Sequence, residues 1–258
     1  MKKLSIIIPA HNEEKRIGNT LNFYSSYFEN LRKTSDLGYE IIVVINNTSD
    51  GTEEIVKSIQ EKNSRINFIN LPRGGKGYAV IEGFKQALKG NSEFIGFVDA
   101  DMATPPDEYF KLANSLKEAH GVIADRYLKD SKIIPIPSKK RIIARKLFNF
   151  VIRSSLFLPF RDTQCGAKIF RRKALENVIP QLTMSQWAFD VELLYALKKN
   201  NYKIRAVPTV WTDKEYSKIN FWKAGPWMAL GVLRLRIVNS PAKRFIRVYD
   251  KLIGFIPR

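Results

Sequence analysis

The sequence predicts an α/β fold with a mainly parallel sheet, and two observations carry the prediction. Four apolar runs of strand length recur through the first hundred residues, and segments with apolar residues at helical spacing lie between them. Parallel strands need a crossover to return the chain, so this rhythm predicts βαβ units with helices flanking the sheet.

The elements follow in order. Residues 4–9 (LSIIIP), 40–46 (EIIVVIN), 66–71 (INFINL) and 93–101 (EFIGFVDAD) are the strand-like runs. Stiff Ile and Val side chains in unbroken apolar runs suit strands covered on both faces. Between them, residues 50–62 and 77–89 read as helices, the first with Asp50 as a candidate N-cap. The second half is less regular. It predicts a helix near 139–157, a short strand near 167–170, helices near 171–178 and 186–200, a strand near 203–210, and one or two basic helices after 219. No internal repeat or low-complexity tract is evident.

In sheets of this kind ligands bind beyond the carboxyl ends of the strands. Four polar clusters, AHNEE, NNTSDGT, RGGKG and DADMAT, fall at those ends and predict a site along one edge.

At 258 residues the chain can bury a substantial core, read as one domain with a C-terminal appendage. The single cysteine, Cys165, excludes an internal disulfide. The opening Met-Lys-Lys-Leu, with charges close behind, lacks the apolar core of a signal peptide, and a cytosolic, reducing setting is expected. Charge is uneven: residues 1–130 carry 17 Lys and Arg against 18 Asp and Glu, whereas residues 131–258 carry 26 against 7. So basic a surface suits nucleic acid, anionic lipid or phosphorylated ligands. No RNA- or DNA-binding signature accompanies it, and no nucleic-acid partner is expected. No charge-free stretch approaches the roughly 20 apolar residues that a helix needs to span a bilayer.

Asp99 and Asp101 carry the first chemistry. Two carboxylates one residue apart past a strand end can meet a divalent cation, Mg²⁺ or Mn²⁺, that also binds a substrate's phosphates. Capping of the strand end is the alternative for so short a motif. RGGKG can cradle phosphate, with Lys76 as a point charge, or serve as a plain strand-to-helix turn; it lacks the spacing of a P-loop.

Taken together, SIIIPAHNEE, DADMAT (99–104) and RDTQCGAKIF (161–170) occur in an order and spacing that resembles the family-2 glycosyltransferases of the GT-A (Rossmann-like) fold. With RGGKGYAV, WAFDVELL (187–194) and WTDKEYSK (211–218), the chain looks most like the dolichyl-phosphate β-glucosyltransferases within that family, over about residues 4–218. The resemblance implies a metal-dependent, inverting hexosyltransferase that moves a sugar, glucose from UDP-glucose in the nearest branch, to dolichyl or polyprenyl phosphate for protein glycosylation. GDP-mannose as donor and a glycan acceptor stay open. It implies that Pro9, Ala10, His11, Glu13, Asn46, Lys76, Asp99, Ala100 and Asp101 contact the donor, with Asp99 and Asp101 at the metal. Arg126 is expected near the transferred phosphates. Arg126, Asp162, Gln164, Ser217 and Lys218 are expected at the acceptor, and Asp101, Asp190 and Arg126 at the reaction itself. Where the family commonly has two aspartates after the second strand this chain has Ile45 and Asn46, and where it usually has glycine the chain has Tyr216.

The domain reading is therefore residues 1–218 as the transferase domain, with a nucleotide half (1–130) and an acceptor half (131–218), then a basic aromatic tail (219–258). On a helical wheel of 139–153, Lys139, Arg141, Arg145, Lys146 and Arg153 gather on one arc and Ile143, Leu147, Phe148, Phe150 and Val151 mostly on the other; Lys140, Ile142 and Ile152 break the division. Such a helix can lie in a membrane interface or pack on a core. The tail mixes Trp222, Trp227, Phe245, Tyr249 and Phe255 with Arg234, Arg236, Lys243, Arg244, Arg247 and Lys251, which suits a bilayer boundary or a homo-oligomer contact. Peripheral attachment to the cytoplasmic face of an anionic membrane is expected, with no transmembrane helix.

Overall fold

The computed structural model describes residues 2–183, 188–212 and 221–252. Its centre is a seven-stranded sheet made of β1 (Lys2–Ala10), β2 (Leu37–Asn46), β3 (Ile66–Leu71), β4 (Phe94–Val98), β5 (Gly121–Asp125), β7 (Ala167–Arg171) and β8 (Ile204–Pro208), in the order β3-β2-β1-β4-β7-β5-β8. All neighbouring pairs are parallel except those of β7, which runs antiparallel to both β4 and β5. The mixed, mainly parallel sheet expected from the sequence is thus present. Two short strands, β6 (Lys132–Ile134) and β9 (Val210–Thr212), form a separate parallel pair.

Alternation along the strands divides the core in two. Ile7, Val44, Phe97 and Phe170 face one layer, where they pack with α3 (Lys76–Lys89), α6 (Arg172–Val178) and α7 (Phe189–Lys199). Leu4, Ile6, Ile8, Val43 and Ile45 face the other, against α1 (Ile17–Thr34), α2 (Thr52–Gln60) and α4 (Pro106–Asn114). Close approach of α3 to the sheet needs Gly83, where a Cβ would come within 2.5 Å of Ile7 Cγ2. Pro106 starts α4 at a position where its missing N–H has no helical partner to lose, which explains the proline pair after the acidic motif.

The helices at 52–60, 76–89, 172–178 and 189–199 match the sequence expectation to within a few residues. Elements outside that expectation, among them α1, α4, β5 and β6, emerge from the structure. The predicted strand over 203–210 is two strands, β8 and β9, in different sheets.

The predicted amphipathic helix is α5 (Lys139–Leu156). Its apolar residues are split in a way the wheel did not give. Phe148, Ile152 and Leu156 are buried in the core, whereas Ile143, Leu147 and Phe150 are each more than half exposed. Ile152, which broke the wheel's division, is the most deeply buried of the three. The tail supplies α8 (Phe221–Val238), a 3₁₀ turn (Pro241–Phe245) and α9 (Ile246–Leu252). Arg234 of α8 forms a bidentate ion pair with Asp250 of α9, at 2.7 and 3.0 Å, closing the tail into a hairpin. Among the described residues no helix is long and apolar enough to cross a membrane.

Candidate active site

The loops after β1, β2 and β4 and the turn before α3 meet at the carboxyl edge of the sheet, as the polar clusters predicted. Their backbones are tightly specified. Asn12, Asn47 and Met102 have φ of 53°, 47° and 59°, a left-handed conformation uncommon for residues other than glycine. Three such residues along one edge mark it as a place where packing imposes a shape on the chain.

Asn46 ties three of these segments together. Its amide nitrogen donates to Ala10 O at 2.8 Å, its amide oxygen accepts from Gly75 N at 3.1 Å, and its own carbonyl lies 2.9 Å from His11 Nδ1. Asn46 is therefore a buried clasp. Pro9 and Ala10 end β1 beneath it, and Ala10 is buried. Glu13 forms a bidentate pair with Arg16 at 2.6 and 2.7 Å.

The acidic motif is held from two sides. Helix α1 fixes its main chain: Thr20 Oγ1 donates to Ala100 O at 2.7 Å and Tyr24 OH to Thr104 O at 2.8 Å. On the other side Asp99 N donates to Gly166 O at 3.1 Å, and the Asp99 carboxylate lies over Gly166, where a Cβ would come within 1.8 Å of Asp99 Oδ2. Glycine in RDTQCG is required by this contact. Lys76 Nζ donates to Asp99 Oδ1 at 2.5 Å. Although burial opposes it, the charges of Asp99 and then Asp190 push the Lys76 ammonium above its ordinary range. Asp101 Oδ1 accepts from Ala103 N at 2.9 Å. Burial, followed by the charge on Asp99, raises the Asp101 carboxyl above its ordinary range.

These residues fit a divalent cation of the kind that takes only part of its shell from protein. No group of three or more metal-binding side chains occurs among the described residues. Two carboxylates are present, one of them destabilised in its ionised form by its neighbour, and that repulsion is what a cation relieves. Mg²⁺ characteristically uses one or two carboxylates and completes its shell with phosphates and water.

Arg126 and Asp162 are brought together, but face each other. Arg126 Nε and Nη2 donate to the Asp162 carboxylate at 2.6 and 2.9 Å, and Arg126 N donates to it at 3.2 Å. Asp162 has 0% of its side chain exposed, so its oxygens are spent on the guanidinium rather than offered to sugar hydroxyls. Despite burial, which acts in the opposite sense, the pair drives Arg126 upward and Asp162 downward from their ordinary pKa ranges. Trp211 lies 4.9 Å from the guanidinium carbon and backs it. Gln164 Nε2 is buried without a hydrogen-bond partner among the described residues. Cys165 is buried, and that burial pushes its thiol up to about 12, which suits a packing role rather than a nucleophile. Asp190, in the first turn of α7, accepts from Lys168 Nζ at 2.5 Å. Ser217 and Lys218 lie outside the described residues.

Residues absent from the sequence reading also shape the site. Thr20 and Tyr24 belong to α1 and Arg16 immediately precedes it, and Gly166 and Lys168 lie around β7. A lone lysine in the apolar strand run AKIF was the available signal for the last of these.

The mixed, mainly parallel sheet with an acid pair past its fourth strand and an antiparallel strand beside that one fits the GT-A glycosyltransferase class that comparison with known proteins shows. The chain belongs to glycosyl transferase family 2, whose family model matches residues 5–179. It is similar to the dolichyl-phosphate beta-glucosyltransferase of Dictyostelium discoideum, at 31% identity over 90% of this chain and 73% of the relative. Similarity to the human dolichyl-phosphate beta-glucosyltransferase is also 31%, covering 93% and 77%. Among solved structures, the fold resembles glucosyl-3-phosphoglycerate synthase from Mycobacterium tuberculosis in complex with Mn²⁺, UDP and glucosyl-3-phosphoglycerate, with a TM-score of 0.63, 18% identity, and coverage of 92% and 79%. Mannosyl-3-phosphoglycerate synthase from Rubrobacter xylanophilus gives a TM-score of 0.63 at 16% identity, covering 99% and 76%.

Proposed function

We propose that the protein transfers glucose from UDP-glucose to dolichyl or another polyprenyl phosphate, with inversion at the anomeric carbon. The observation that carries this reading is the similarity to dolichyl-phosphate beta-glucosyltransferases over nine-tenths of the chain.

In the reaction an oxygen of the acceptor phosphate forms a bond to the anomeric carbon. The bond to the donor's β-phosphate oxygen breaks, and UDP departs with the electron pair. A phosphate monoester has a second pKa near about 6, so the attacking oxygen carries no proton that a base must remove at neutral pH. Catalysis then rests on alignment and on charge placed where the diphosphate develops its negative charge. Pro9, His11 and Glu13 border the donor, with Ala10 and Ala100 buried behind them, and Asn46 holds that wall in shape. Asp99 and Asp101 would hold Mg²⁺ or Mn²⁺, which supplies positive charge to the leaving diphosphate. Lys76, already beside Asp99, adds a second cation there. Arg126, which faces Asp162, is assigned to the acceptor side as a buried positive charge, and Gln164 beside it has a buried amide nitrogen to offer an acceptor oxygen. Asp190 is assigned to the sugar side of the same cleft. The transferase unit is residues 1–218 and the tail an attachment region.

The lipid would approach over α5 and α8. Val151, Ser154, Phe157, Val232, Leu233 and Arg236 line a groove of about 360 Å³ between them. Ile143, Leu147, Phe150 and Leu233 are exposed apolar residues on these helices, with cationic Arg153 and Arg236 beside the groove. Exposed apolar side chains among cations suit an anionic bilayer surface, here the cytoplasmic face of a membrane.

The test is transfer by purified protein from radiolabelled UDP-glucose, with GDP-mannose in parallel, to dolichyl phosphate in the presence of Mn²⁺ or a chelator. A lipid-extractable product from UDP-glucose that disappears with chelator is expected. Transfer only from GDP-mannose, or no lipid-linked product, would overturn the assignment.

A further inference from the structure

A lysine opens helix α3, where its charge is out of place. The N-terminus of a helix carries a positive partial charge that favours acidic side chains. The first turn of α3 has none, and Lys76 stands at its first position. The turn that delivers it is closely specified: Gly75 has a φ of 133°, a value suited to glycine, and its N–H donates to Asn46 Oδ1 at 3.1 Å. From there the ammonium lies 5.8 Å from the centre of the Phe97 ring and reaches Asp99 Oδ1 at 2.5 Å.

Stability does not account for this pair. The Lys76 and Asp99 side chains are 39% and 32% exposed, and an ion pair so open to water contributes little to folding. The same openness lets a ligand take either member. Nor are the two aspartates of the motif equivalent. Asp99 lies against Gly166 and has its charge balanced by Lys76. Asp101 accepts from Ala103 N at 2.9 Å and has no ion-pair partner among the described residues. A divalent cation arriving alone would therefore meet one unbalanced carboxylate, with an ammonium already beside the other.

We propose that Lys76 is the resident counter-ion of Asp99: in the empty cleft it holds that carboxylate against a free divalent cation, and it gives the carboxylate up when a diphosphate enters. A diphosphate carries more negative charge than a carboxylate and is met at a helix N-terminus, so it is the stronger partner for the ammonium. Lys76 thus opposes metal that comes alone and favours the nucleotide, and the two are taken up together. This rests on the donor- and metal-binding reading above and deepens it.

The experiment measures binding, with no turnover. Mn²⁺ is titrated by calorimetry into the whole, metal-free chain without nucleotide, and UDP is titrated separately without metal. Lys76→Met should bind Mn²⁺ about 10- to 100-fold more tightly than wild type, because a unit positive charge a few ångströms from a divalent one is removed. It should bind metal-free UDP at least about tenfold more weakly, because the diphosphate loses its cation. Lys76→Arg, which keeps the charge, should keep Mn²⁺ affinity near that of wild type. Should Lys76→Met not fold, as judged by its thermal melt, Lys76→Gln carries the same expectation. The opposite signs are the signature. A lysine that only binds donor would weaken UDP and leave Mn²⁺ unchanged, and one that only shapes the turn would change neither. Mn²⁺ affinity unchanged or weakened in a folded variant without the charge would overturn the proposal. Failure of both Mn²⁺ and UDP to bind wild type and variants would strike the donor- and metal-binding reading and this assignment with it, whereas binding of both with no gain in Mn²⁺ affinity strikes this assignment alone.

Discussion

At the scale of single residues, the site is a small set of charges whose positions are fixed by neighbours. Asp101 has its carboxyl pushed up by burial and by Asp99. A group whose pKa is raised on folding stabilises the fold while protonated, and that contribution is lost as pH rises through the raised value. Without a cation, the folded protein therefore carries a penalty at neutral pH that the proposed metal would relieve. Mn²⁺ at a hundredfold excess over its Kd should raise Tm by about 5 °C or more at pH 7, and by less toward pH 4. Asp101→Asn should raise the metal-free Tm and abolish the Mn²⁺ shift; scanning calorimetry with and without chelator measures both. Gly166 makes a separate prediction. A methyl group there would occupy the space of the Asp99 carboxylate. Gly166→Ala should lower glucosyl transfer by about 100-fold, the cost of an ångström-scale misplacement at a reacting centre. Full activity in that variant would contradict the placement of Asp99.

At the scale of elements, α5 connects the exposed face to the site. Asn149 on this helix accepts from Thr163 N and Oγ1 at 3.3 and 3.2 Å, so α5 is fastened to the loop that carries Asp162, Gln164 and Gly166. Its two faces should separate on mutation. Ile152→Ala removes a fully buried side chain and should cost about 2–4 kcal/mol in urea unfolding. Leu147→Ser with Phe150→Ser touches exposed positions and should change stability by no more than about 0.5 kcal/mol for each. The same double change should weaken vesicle binding about tenfold or more, since each residue would lose its burial among acyl chains. Unchanged vesicle co-sedimentation would remove α5 from the membrane face. Helical spacing in the sequence foretold α5 but not its orientation. The wheel set Phe148 and Ile152 on different sides of its division, yet both turned inward, because the sheet stood on the side that they share.

At the scale of the whole molecule, the near-neutral first half forms most of the proposed donor edge, and the strongly basic second half carries α5, α8 and α9. The proposed attraction of that half to anionic lipid would be electrostatic and would fall with the screening length, from about 10 Å at 0.1 M salt to about 3 Å at 1 M. Binding to anionic vesicles should therefore drop at least about tenfold over that range, and neutral vesicles should bind weakly throughout. Salt-independent binding would point to apolar contact alone. By itself the sequence determined the α/β class, the strand runs at 4–9, 40–46 and 66–71, and the loops that carry Asp99, Asp101 and Lys76. Those signals are local: periodicity, β-branched side chains and polar residues at strand ends are properties of neighbours along the chain. Only the tertiary structure decided that Arg126 faces Asp162, that Asn46 clasps three loops, that Gly166 lies beneath Asp99 and that Lys168 holds Asp190. Each of those pairings joins residues distant along the chain, and their energies arise from burial and charge in a space that exists only once the sheet has assembled around β7.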